Sequence, residues 1–272
     1  MRPQPITSDD VPAPSVDLLG VRFPRIDMDA AVEQMIAWMS ASAGVAVAFP
    51  DMSTMNLVSR QPGFLRMLRE GTVTFNDGAG LALAARLRRR PFPANLNGTD
   101  LCPALFERCP PGTRVALVGG RPGVADRAGV VLAQRFPHLD LVLTHHGYLD
   151  ADGEAEVADR LRDTRPQVVM VGMGNPLQVE YIDRHRELPG LAQILWLAVG
   201  GQLDYYGGDL PRAPGWMRRA RLEWLHLVRV QPHKLRRYAI GIPAFLARVV
   251  VASIRGTHDA PSRLRPGAAG AA

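Results

Sequence analysis

The strongest constraint on the fold is a series of short apolar runs, several ending in glycine, that alternate with helix-like segments. The apolar runs lie at 45–49, 72–75, 114–120, 139–147, 167–174 and 193–201. The helix-like segments lie at 29–42, 80–89, 122–136, 152–163 and 175–186. Strands that are joined by helical crossovers predict a mostly parallel sheet with helices on both faces. We therefore expect an α/β fold.

Glycines cluster where the predicted strands end. They are Gly78, Gly80, Gly119, Gly120, Gly147, Gly172, Gly174, Gly200 and Gly201. In an open, Rossmann-like sheet, ligands bind outside the carboxyl ends of the strands. Glycine there allows the backbone to approach a ligand and leaves N–H groups for phosphate. Each glycine alone is equally consistent with a tight turn, but so many at one edge favour a phosphate-bearing ligand.

The loop "VGGRPGVADRA" (118–128) resembles a phosphate-binding loop, although it matches neither GxGxxG nor GxxxxGK[ST]. We predict that Gly119, Gly120 and Arg121 bind a diphosphate, which the N-terminal dipole of the next helix would favour. The alternative is an ordinary turn between a strand and a helix.

A second glycine-containing loop, "VGMGNPLQ" (171–178), also joins a strand to a helix. We predict that Gly172 and Gly174 approach the ligand and that Asn175 caps the helix. Gln178 would then lie in the first helical turn and face the edge of the sheet, where its amide would bind a sugar hydroxyl or a uracil edge. The alternative for an isolated glutamine is a solvated helix residue.

Two acidic motifs follow at other helix starts. In "TFNDGAG" (74–80), Asp77 comes directly after Asn76 and a buried strand, as either a catalytic base or a helix cap. In "NLNGTD" (95–100), Asn97, Thr99 and Asp100 stand at the start of another helix, and capping is the stronger interpretation for each of them alone. Together with Asn76, these three residues are nevertheless predicted to bind substrate.

The sequence does not favour a metal centre or a disulfide. Cys102 and Cys109 form no CxxC pair, so a thiolate zinc site and a disulfide scaffold are not expected. His145 and His146 are adjacent on an extended segment, where side chains point to opposite faces and would not chelate one metal. Tyr148 either stacks on a base or packs. No cofactor and no metal are predicted.

The net charge of +6 is concentrated near the C-terminus, where residues 212–255 carry ten Arg and Lys against one Glu. Tryptophans alternate with these arginines, a pattern that suits an anionic membrane surface or nucleic acid, with packing accounting for part of the apolar face. The most apolar segment, 239–254, is too short and too interrupted to span a bilayer. We expect a disordered lead-in (1–15), a catalytic domain (16–208), a basic helical appendage (209–255) and a disordered tail (256–272).

Taken together, the motifs resemble those of the WecG/TagA/CpsF family of glycosyltransferases from about residue 20 to 255. The motifs are "NDGAGLALAARL" (76–87), "NGTDLCPAL" (97–105), "VGGRPGVA" (118–125), "HHGY" (145–148), "GMGNPLQ" (172–178) and "VGGQLDYYGGDLPRAPGWMRRARLEWLHLV" (199–228). The forms "NDG" and "NLNGTD" look closest to the exopolysaccharide branch, because Asn95 replaces the arginine that is usual elsewhere.

The resemblance implies a cytoplasmic, membrane-associated inverting transferase that needs no metal. It would move a hexose from a UDP-sugar to a polyprenyl-diphosphate-linked saccharide at the cytoplasmic membrane surface; nucleic acid is not an expected partner. The family's catalytic base carries over to Asp77 and its motif glutamine to Gln178. The basic appendage would close over the site and supply cations, with self-association possible. The candidate arginines are Arg212, Arg218, Arg219 and Arg221.

The chain departs from the family pattern at three positions. Asp51 replaces an asparagine, and we expect it to contact sugar or acceptor. Val179 replaces a glutamate, and Phe49 replaces a threonine of some branches. Two alternatives therefore stay open: an N-acetylmannosaminyltransferase of the same family, or a catalytically weakened membrane-binding module. A nucleotide-dependent oxidoreductase would need GxGxxG and a later acid, and neither glycine cluster fits.

Overall fold

The computed structural model describes residues 5–210, 214, 217, 229 and 235–254, with the side chains of 235–240 excluded. The strands in this part of the chain are β1 (Ser15–Leu18), β2 (Val21–Pro24), β3 (Ala46–Ala48), β4 (Val73–Thr74), β5 (Thr113–Gly119), β6 (Leu139–His145), β7 (Val168–Gly172) and β8 (Leu195–Ala198). The helices are α1 (Met28–Ser40), α2 (Met52–Val58), α3 (Pro62–Gly71), α4 (Gly78–Leu87), α5 (Gly98–Arg108), α6 (Val124–Arg135), α7 (Ala151–Thr164), α8 (Leu177–His185), α9 (Gln202–Tyr206) and α10 (Leu235–Ile254).

Six strands form one sheet in the order β4-β3-β8-β7-β5-β6. All five strand pairs in it are parallel. β1 and β2 form a separate antiparallel hairpin. The predicted α/β fold with a parallel sheet is therefore confirmed.

The sheet is buried on both faces, which explains why its strands are continuous apolar runs rather than alternating ones. In β7, Val169 and Val171 pack into one core layer, and Val168 and Met170 pack into the other. The first layer is covered by α2, α3, α4, α7, α8 and α10. The second is covered by α1, α5, α6 and α9.

The crossovers diverge between β5 and β7, which are hydrogen-bonded neighbours. The chain leaves β5 for α6 on one face and leaves β7 for α8 on the other face. Such a divergence leaves a crevice at the carboxyl ends of the two strands, which is where ligands bind in open α/β sheets.

The N-terminal segment differs from the expected disordered lead-in. Ser8 is buried, and its hydroxyl accepts a hydrogen bond from the Thr74 N–H of β4 at 2.9 Å. Val11 is buried in the core layer that contains α1. Residues 5–14 therefore fold against the edge strand. The hydrogen bond to Thr74 and the burial of Val11 offset the conformational entropy that this proline-rich segment loses when it becomes ordered.

The described C-terminal helix, α10, docks on α2. Phe245 and Val249 are buried, and the Asn56 amide donates to the Gly241 carbonyl at 3.0 Å. The Arg248 guanidinium donates to Asn56 Oδ1 and Ser59 Oγ. Among the described helices, none combines the length and the apolar character needed to cross a bilayer.

Gly119 provides a test of how tightly the carboxyl edge is packed. A Cβ on Gly119 would lie 2.5 Å from the Gly172 carbonyl oxygen, which is backbone and has no room to shift. We expect Gly119→Ala to lower the free energy of unfolding by about 2–4 kcal/mol, measured by chemical denaturation.

Gly63→Ala is the matched control, because Gly63 lies in α3 with open space around it. It should be neutral or stabilising by up to about 1 kcal/mol through helix propensity. Equal stability of the Gly119 variant and the wild type would contradict the close packing.

Candidate functional site

A cleft of about 550 Å³ lies at the carboxyl ends of β5, β6, β7 and β8. Gly120 and Arg121 form one wall, and Tyr148 lies on the β6 side. Gly174 and Gly200 line the part that faces β7 and β8. The cleft therefore coincides with the crevice that the diverging crossovers create.

The strand-end glycines serve two different purposes. A Cβ on Gly119 would meet the Gly172 backbone, and a Cβ on Gly172 would lie 2.9 Å from the Gly200 carbonyl oxygen. These two glycines let the strand ends stack on one another. In contrast, Gly174 (φ +77°) and Gly200 (φ +56°) have left-handed backbone and open space beside them, so their backbone faces the cleft directly.

Arg121 is the single basic residue among the described residues that line the cleft. It is exposed and precedes α6, which begins at Val124 after Gly123 (φ +83°), two residues later than predicted. The Val124 N–H is bonded to the Arg121 carbonyl, so Pro122 lies in a turn ahead of the helix.

Two acids of the cleft were not selected from the sequence. Asp204 lies in α9, and Asp209 follows it in "DYYGGDL" (204–210). Asp209 forms an ion pair with Arg127, whose Nε–H also donates to the Gly207 carbonyl at 2.8 Å. The motif was visible in the sequence, but only the fold shows that it turns back toward the cleft.

Tyr148 and Leu177 present apolar surface at the cleft, with exposed fractions of 68% and 60%. His145 and His146 differ from the prediction, because their ring centroids are only 4.4 Å apart. Strand β6 ends at His145, so the alternation of side chains that an extended segment imposes stops there.

Asp77 occupies the N-cap position of α4, but its side chain makes no capping hydrogen bond. Asn95 supplies that acceptor instead, because its Oδ1 receives the Gly78 N–H at 2.8 Å. The Asp77 N–H donates to the Pro50 carbonyl at 3.2 Å, which ties this loop to the end of β3. Helix capping therefore does not explain the Asp77 carboxylate.

Asn76 stabilises the same loop from a buried position. It is buried, and its amide donates to the Ala94 carbonyl at 3.0 Å. The Leu96 N–H in turn bonds to the Asn76 carbonyl. Asn76 thus holds the segment that carries Asn95 against the end of β4.

Asn97 is a helix cap, as the capping interpretation predicted. Its Oδ1 accepts from the Asp100 N–H and from the Thr99 hydroxyl, and its amide donates to Asp100 Oδ2 at 2.9 Å. The three side chains thus bond one another at the start of α5.

A hydrogen-bonded chain links three loops of the carboxyl edge. Asp51 caps α2 and accepts from the Thr54 N–H and hydroxyl, each at 2.7 Å. Thr54 Oγ1 accepts from the Asn175 amide, and Asn175 Oδ1 accepts from the Gln178 amide, each at 3.0 Å. Gln178 Oε1 accepts from the Gly200 N–H at 2.8 Å.

This chain changes the picture of two predicted ligand contacts. Gln178 is only 2% exposed, and its amide also donates to the Ala198 carbonyl, so the side chain holds loops together. Asn175 does not cap α8, which begins at Leu177 after Pro176. Its side chain bonds Thr54 and Gln178 instead.

The other two departures from the family pattern are explained by packing. Val179 lies in α8 and is buried in the core layer, where a glutamate would lose its hydration. Phe49 packs against Phe75, with ring centroids 6.4 Å apart, and lies against Gly98.

The pKa shifts lie away from the cleft. Burial raises the pKa of Cys102 to about 12 and that of Cys109 to about 11, so both thiols stay protonated at neutral pH and are poor nucleophiles. Burial lowers the pKa of His185 and raises that of Tyr181, which stacks on it.

Asp77 and the cleft share the carboxyl edge but not the same strands. β4, which precedes Asp77, lies three strand positions from β7 in the sheet. At the usual spacing of neighbouring strands this is about 14 Å. A single extended ligand would have to lie across the ends of β8 and β3 to reach both.

Arg212, Arg218, Arg219 and Arg221 lie outside the described residues. Of the described residues on either side of them, Leu210 lines the cleft and Gly241 contacts α2.

The chain belongs to the glycosyl transferase WecG/TagA/CpsF family, whose sequence profile matches residues 16–259. Similar proteins include the N-acetylglucosaminyldiphosphoundecaprenol N-acetyl-beta-D-mannosaminyltransferases of Staphylococcus aureus strains NCTC 8325 / PS 47, COL and MSSA476. Each is 25% identical over 240 residues, which cover 87% of this chain and 92% of the relative. The resemblance predicted from the motifs is thus confirmed.

Asn95 allows the capping geometry to be tested separately from activity. Asn95→Ala removes the acceptor for the Gly78 N–H, and we expect it to lower the free energy of unfolding by about 1 kcal/mol. Asn95→Asp should retain most of the stability, because a carboxylate also accepts this bond and suits a helix N-terminus. Denaturant titration measures both, and an Asn95→Ala variant as stable as the wild type would refute the assignment of the cap.

Proposed function

We propose that the protein transfers a sugar from a UDP-sugar to a polyprenyl-diphosphate-linked saccharide, with inversion at the anomeric carbon. Membership of the family supports sugar transfer. The name of the staphylococcal relatives supports a lipid-linked acceptor, since it specifies N-acetylglucosaminyldiphosphoundecaprenol. The observation that carries the proposal is the shared carboxyl edge, which has a glycine-lined cleft at one end and Asp77 at the other.

For the donor sugar, the comparisons favour the alternative considered from the sequence, which is an N-acetylmannosaminyltransferase. A hexose in exopolysaccharide synthesis was expected from "NDG" and "NLNGTD". The relatives transfer an N-acetylmannosaminyl group according to their name, so N-acetylmannosamine is the better supported sugar. In this chain Asn95 is bonded to the Gly78 N–H, so its presence reflects helix capping and carries little information about the sugar.

The donor would lie across the carboxyl edge with its diphosphate in the cleft. Arg121 offers positive charge, and the open backbone at Gly174 and Gly200 allows close approach of phosphate oxygens. Tyr148 and Leu177 offer apolar surface for the base. The sugar would then extend over β8 and β3 toward Asp77.

Asp77 would act as the general base. It would accept the proton of the acceptor hydroxyl while that oxygen attacks the anomeric carbon from the face opposite the departing UDP. The new glycosidic bond forms as the bond between the anomeric carbon and the diphosphate oxygen breaks, and UDP leaves with the electron pair. Negative charge grows on the diphosphate, so cations beside it lower the barrier.

The described cleft is short of cations for this task. Arg121 shares the cleft lining with Asp204 and Asp209, and Arg127 is already paired with Asp209. We infer that Arg212, Arg218, Arg219 and Arg221 complete the site, since Leu210, which comes shortly before them in the chain, lines the cleft. A basic appendage at that position would also bring the site to the inner face of the cytoplasmic membrane, where a polyprenyl-linked acceptor lies; self-association is a further possibility.

A second candidate is a basic membrane-binding module with weakened catalysis. Asp51 favours this candidate, because the residue departs from the family pattern and its carboxylate caps α2. Salt-sensitive binding to anionic vesicles without sugar transfer would support this candidate over the enzyme.

Substitution of Asp77 tests the proposal. Wild type and Asp77→Asn are incubated with a short-chain prenyl-diphosphate N-acetylglucosamine acceptor and a panel of UDP-sugars that includes UDP-N-acetylmannosamine and UDP-glucose. We expect transfer by the wild type from UDP-N-acetylmannosamine and a loss of at least about a hundredfold in kcat for Asp77→Asn, as for removal of a general base.

Asp183→Asn is the control, because Asp183 is an exposed carboxylate in the last turn of α8, at the end remote from the carboxyl edge. It should leave the rate unchanged. Equal rates for wild type and Asp77→Asn would remove Asp77 from the chemistry. Transfer from UDP-glucose alone would restore the hexose assignment.

Arg121 should contribute to donor binding rather than to the chemical step. We expect Arg121→Ala to raise the KM for the UDP-sugar about five- to tenfold with little change in kcat, because one exposed charge-assisted contact is lost. The difference should shrink as ionic strength rises from 50 mM to about 0.5 M. Arg69→Ala, an exposed arginine on α3, is the control, and an unchanged KM for Arg121→Ala would place the diphosphate elsewhere.

A further inference from the structure

We propose that Thr54 is a positioning residue that holds the Gly200 loop of the cleft in place through a hydrogen-bond relay of Asp51, Thr54, Asn175 and Gln178. Thr54 itself does not line the cleft. Its hydroxyl joins α2, which follows β3, to the loops that follow β7 and β8. The inference rests on the proposed function, because it assigns these residues to donor binding at the same site.

All hydrogen bonds of the relay run in one direction. The Gly200 N–H donates to Gln178, the Gln178 amide to Asn175, the Asn175 amide to Thr54, and the Thr54 hydroxyl to Asp51. Each member polarises the next, and the chain ends on a carboxylate, which is the strongest acceptor available to it. An aligned chain of this kind is expected to hold its geometry better than isolated bonds.

Thr54 is the member of the relay that connects Asp51 to Asn175. It is 4% exposed, and its single oxygen both donates to Asp51 and accepts from Asn175. Both donors of the Gln178 amide are engaged, on Asn175 Oδ1 and the Ala198 carbonyl. Without the Thr54 oxygen, Asn175 loses the acceptor that orients its amide, and Gln178 loses a fixed partner.

The far end of the relay is a backbone position that borders the cleft. Gly200 has φ +56° and open space beside it, and it lines the cleft. Its N–H is directed to Gln178 Oε1, so this bond determines how the loop after β8 presents its backbone to a ligand. Loosening the relay should therefore weaken donor binding while the chemistry at Asp77 is preserved.

The test compares Thr54→Val, Thr54→Ser and Thr113→Val. Valine keeps the shape of threonine but removes the hydroxyl, whereas serine retains the hydroxyl. Thr113 is the matched control, because it is 2% exposed, donates to the Pro110 carbonyl at 2.7 Å, and lies at the opposite end of β5. Thr113→Val therefore measures the effect of losing a buried hydroxyl that is not part of the relay.

UDP binding is measured by calorimetry, and the KM for the UDP-sugar and kcat are measured in the transfer assay. We expect Thr54→Val to raise the Kd for UDP and the donor KM about tenfold, with kcat changed less than about threefold. Thr54→Ser and Thr113→Val should stay near wild type. An effect in Thr113→Val as large as that in Thr54→Val would overturn the proposal, as would a Thr54→Val variant with wild-type Kd.

Amide hydrogen exchange at Gly200 separates this inference from the proposed function. We expect exchange in ligand-free Thr54→Val to be at least about fivefold faster than in Thr113→Val and wild type. Asn175→Asp, which keeps the acceptor for Gln178 but loses the donor to Thr54, should have the same effect. If the wild type binds no UDP but these differences hold, the donor proposal fails and the relay stands; unchanged exchange at Gly200 refutes the relay.

Discussion

The close contact between backbone segments at the ends of β5, β7 and β8 determines the geometry of the carboxyl edge. Gly119 lies against Gly172, and Gly172 lies against the Gly200 carbonyl, at distances that no side chain would permit. Because the strand ends stack so tightly, the loops that follow must turn outward, and the cleft opens above them. Among the glycines that line the cleft, Gly172 serves this close packing, whereas Gly174 and Gly200 have open space beside their backbone.

Electrostatics at this edge are incomplete within the described residues. A UDP-sugar brings a diphosphate, whereas the described cleft lining offers Arg121 together with two aspartates. The family to which the chain belongs transfers sugars, and such a reaction needs positive charge where the leaving group departs. Ten basic residues lie between 212 and 255, and four of them (Arg212, Arg218, Arg219 and Arg221) are proposed to supply that charge.

Two aspartates at helix starts have hydrogen bonds that differ from what their positions in the sequence suggest. Asp77 has the position of a helix cap, yet Asn95 makes the capping bond. Asp51 has the position of a ligand contact in the family pattern, yet it caps α2 and ends a relay that reaches Gly200.

The sequence by itself determined the parallel α/β fold, most of the helices that flank the sheet and the edge where the candidate site lies. It could do so because glycine spacing and apolar runs are local patterns, formed by residues close together in the chain. It did not reveal the β1–β2 hairpin, the helices α2 and α3, or the ordered segment 5–14, whose partners are distant in the chain. Tertiary structure alone decided that Asn95 caps α4 and that Thr54 meets Asn175 across 121 positions. Such pairs depend on the order of strands in the sheet, and that order follows from how the crossovers pack, which no local pattern records.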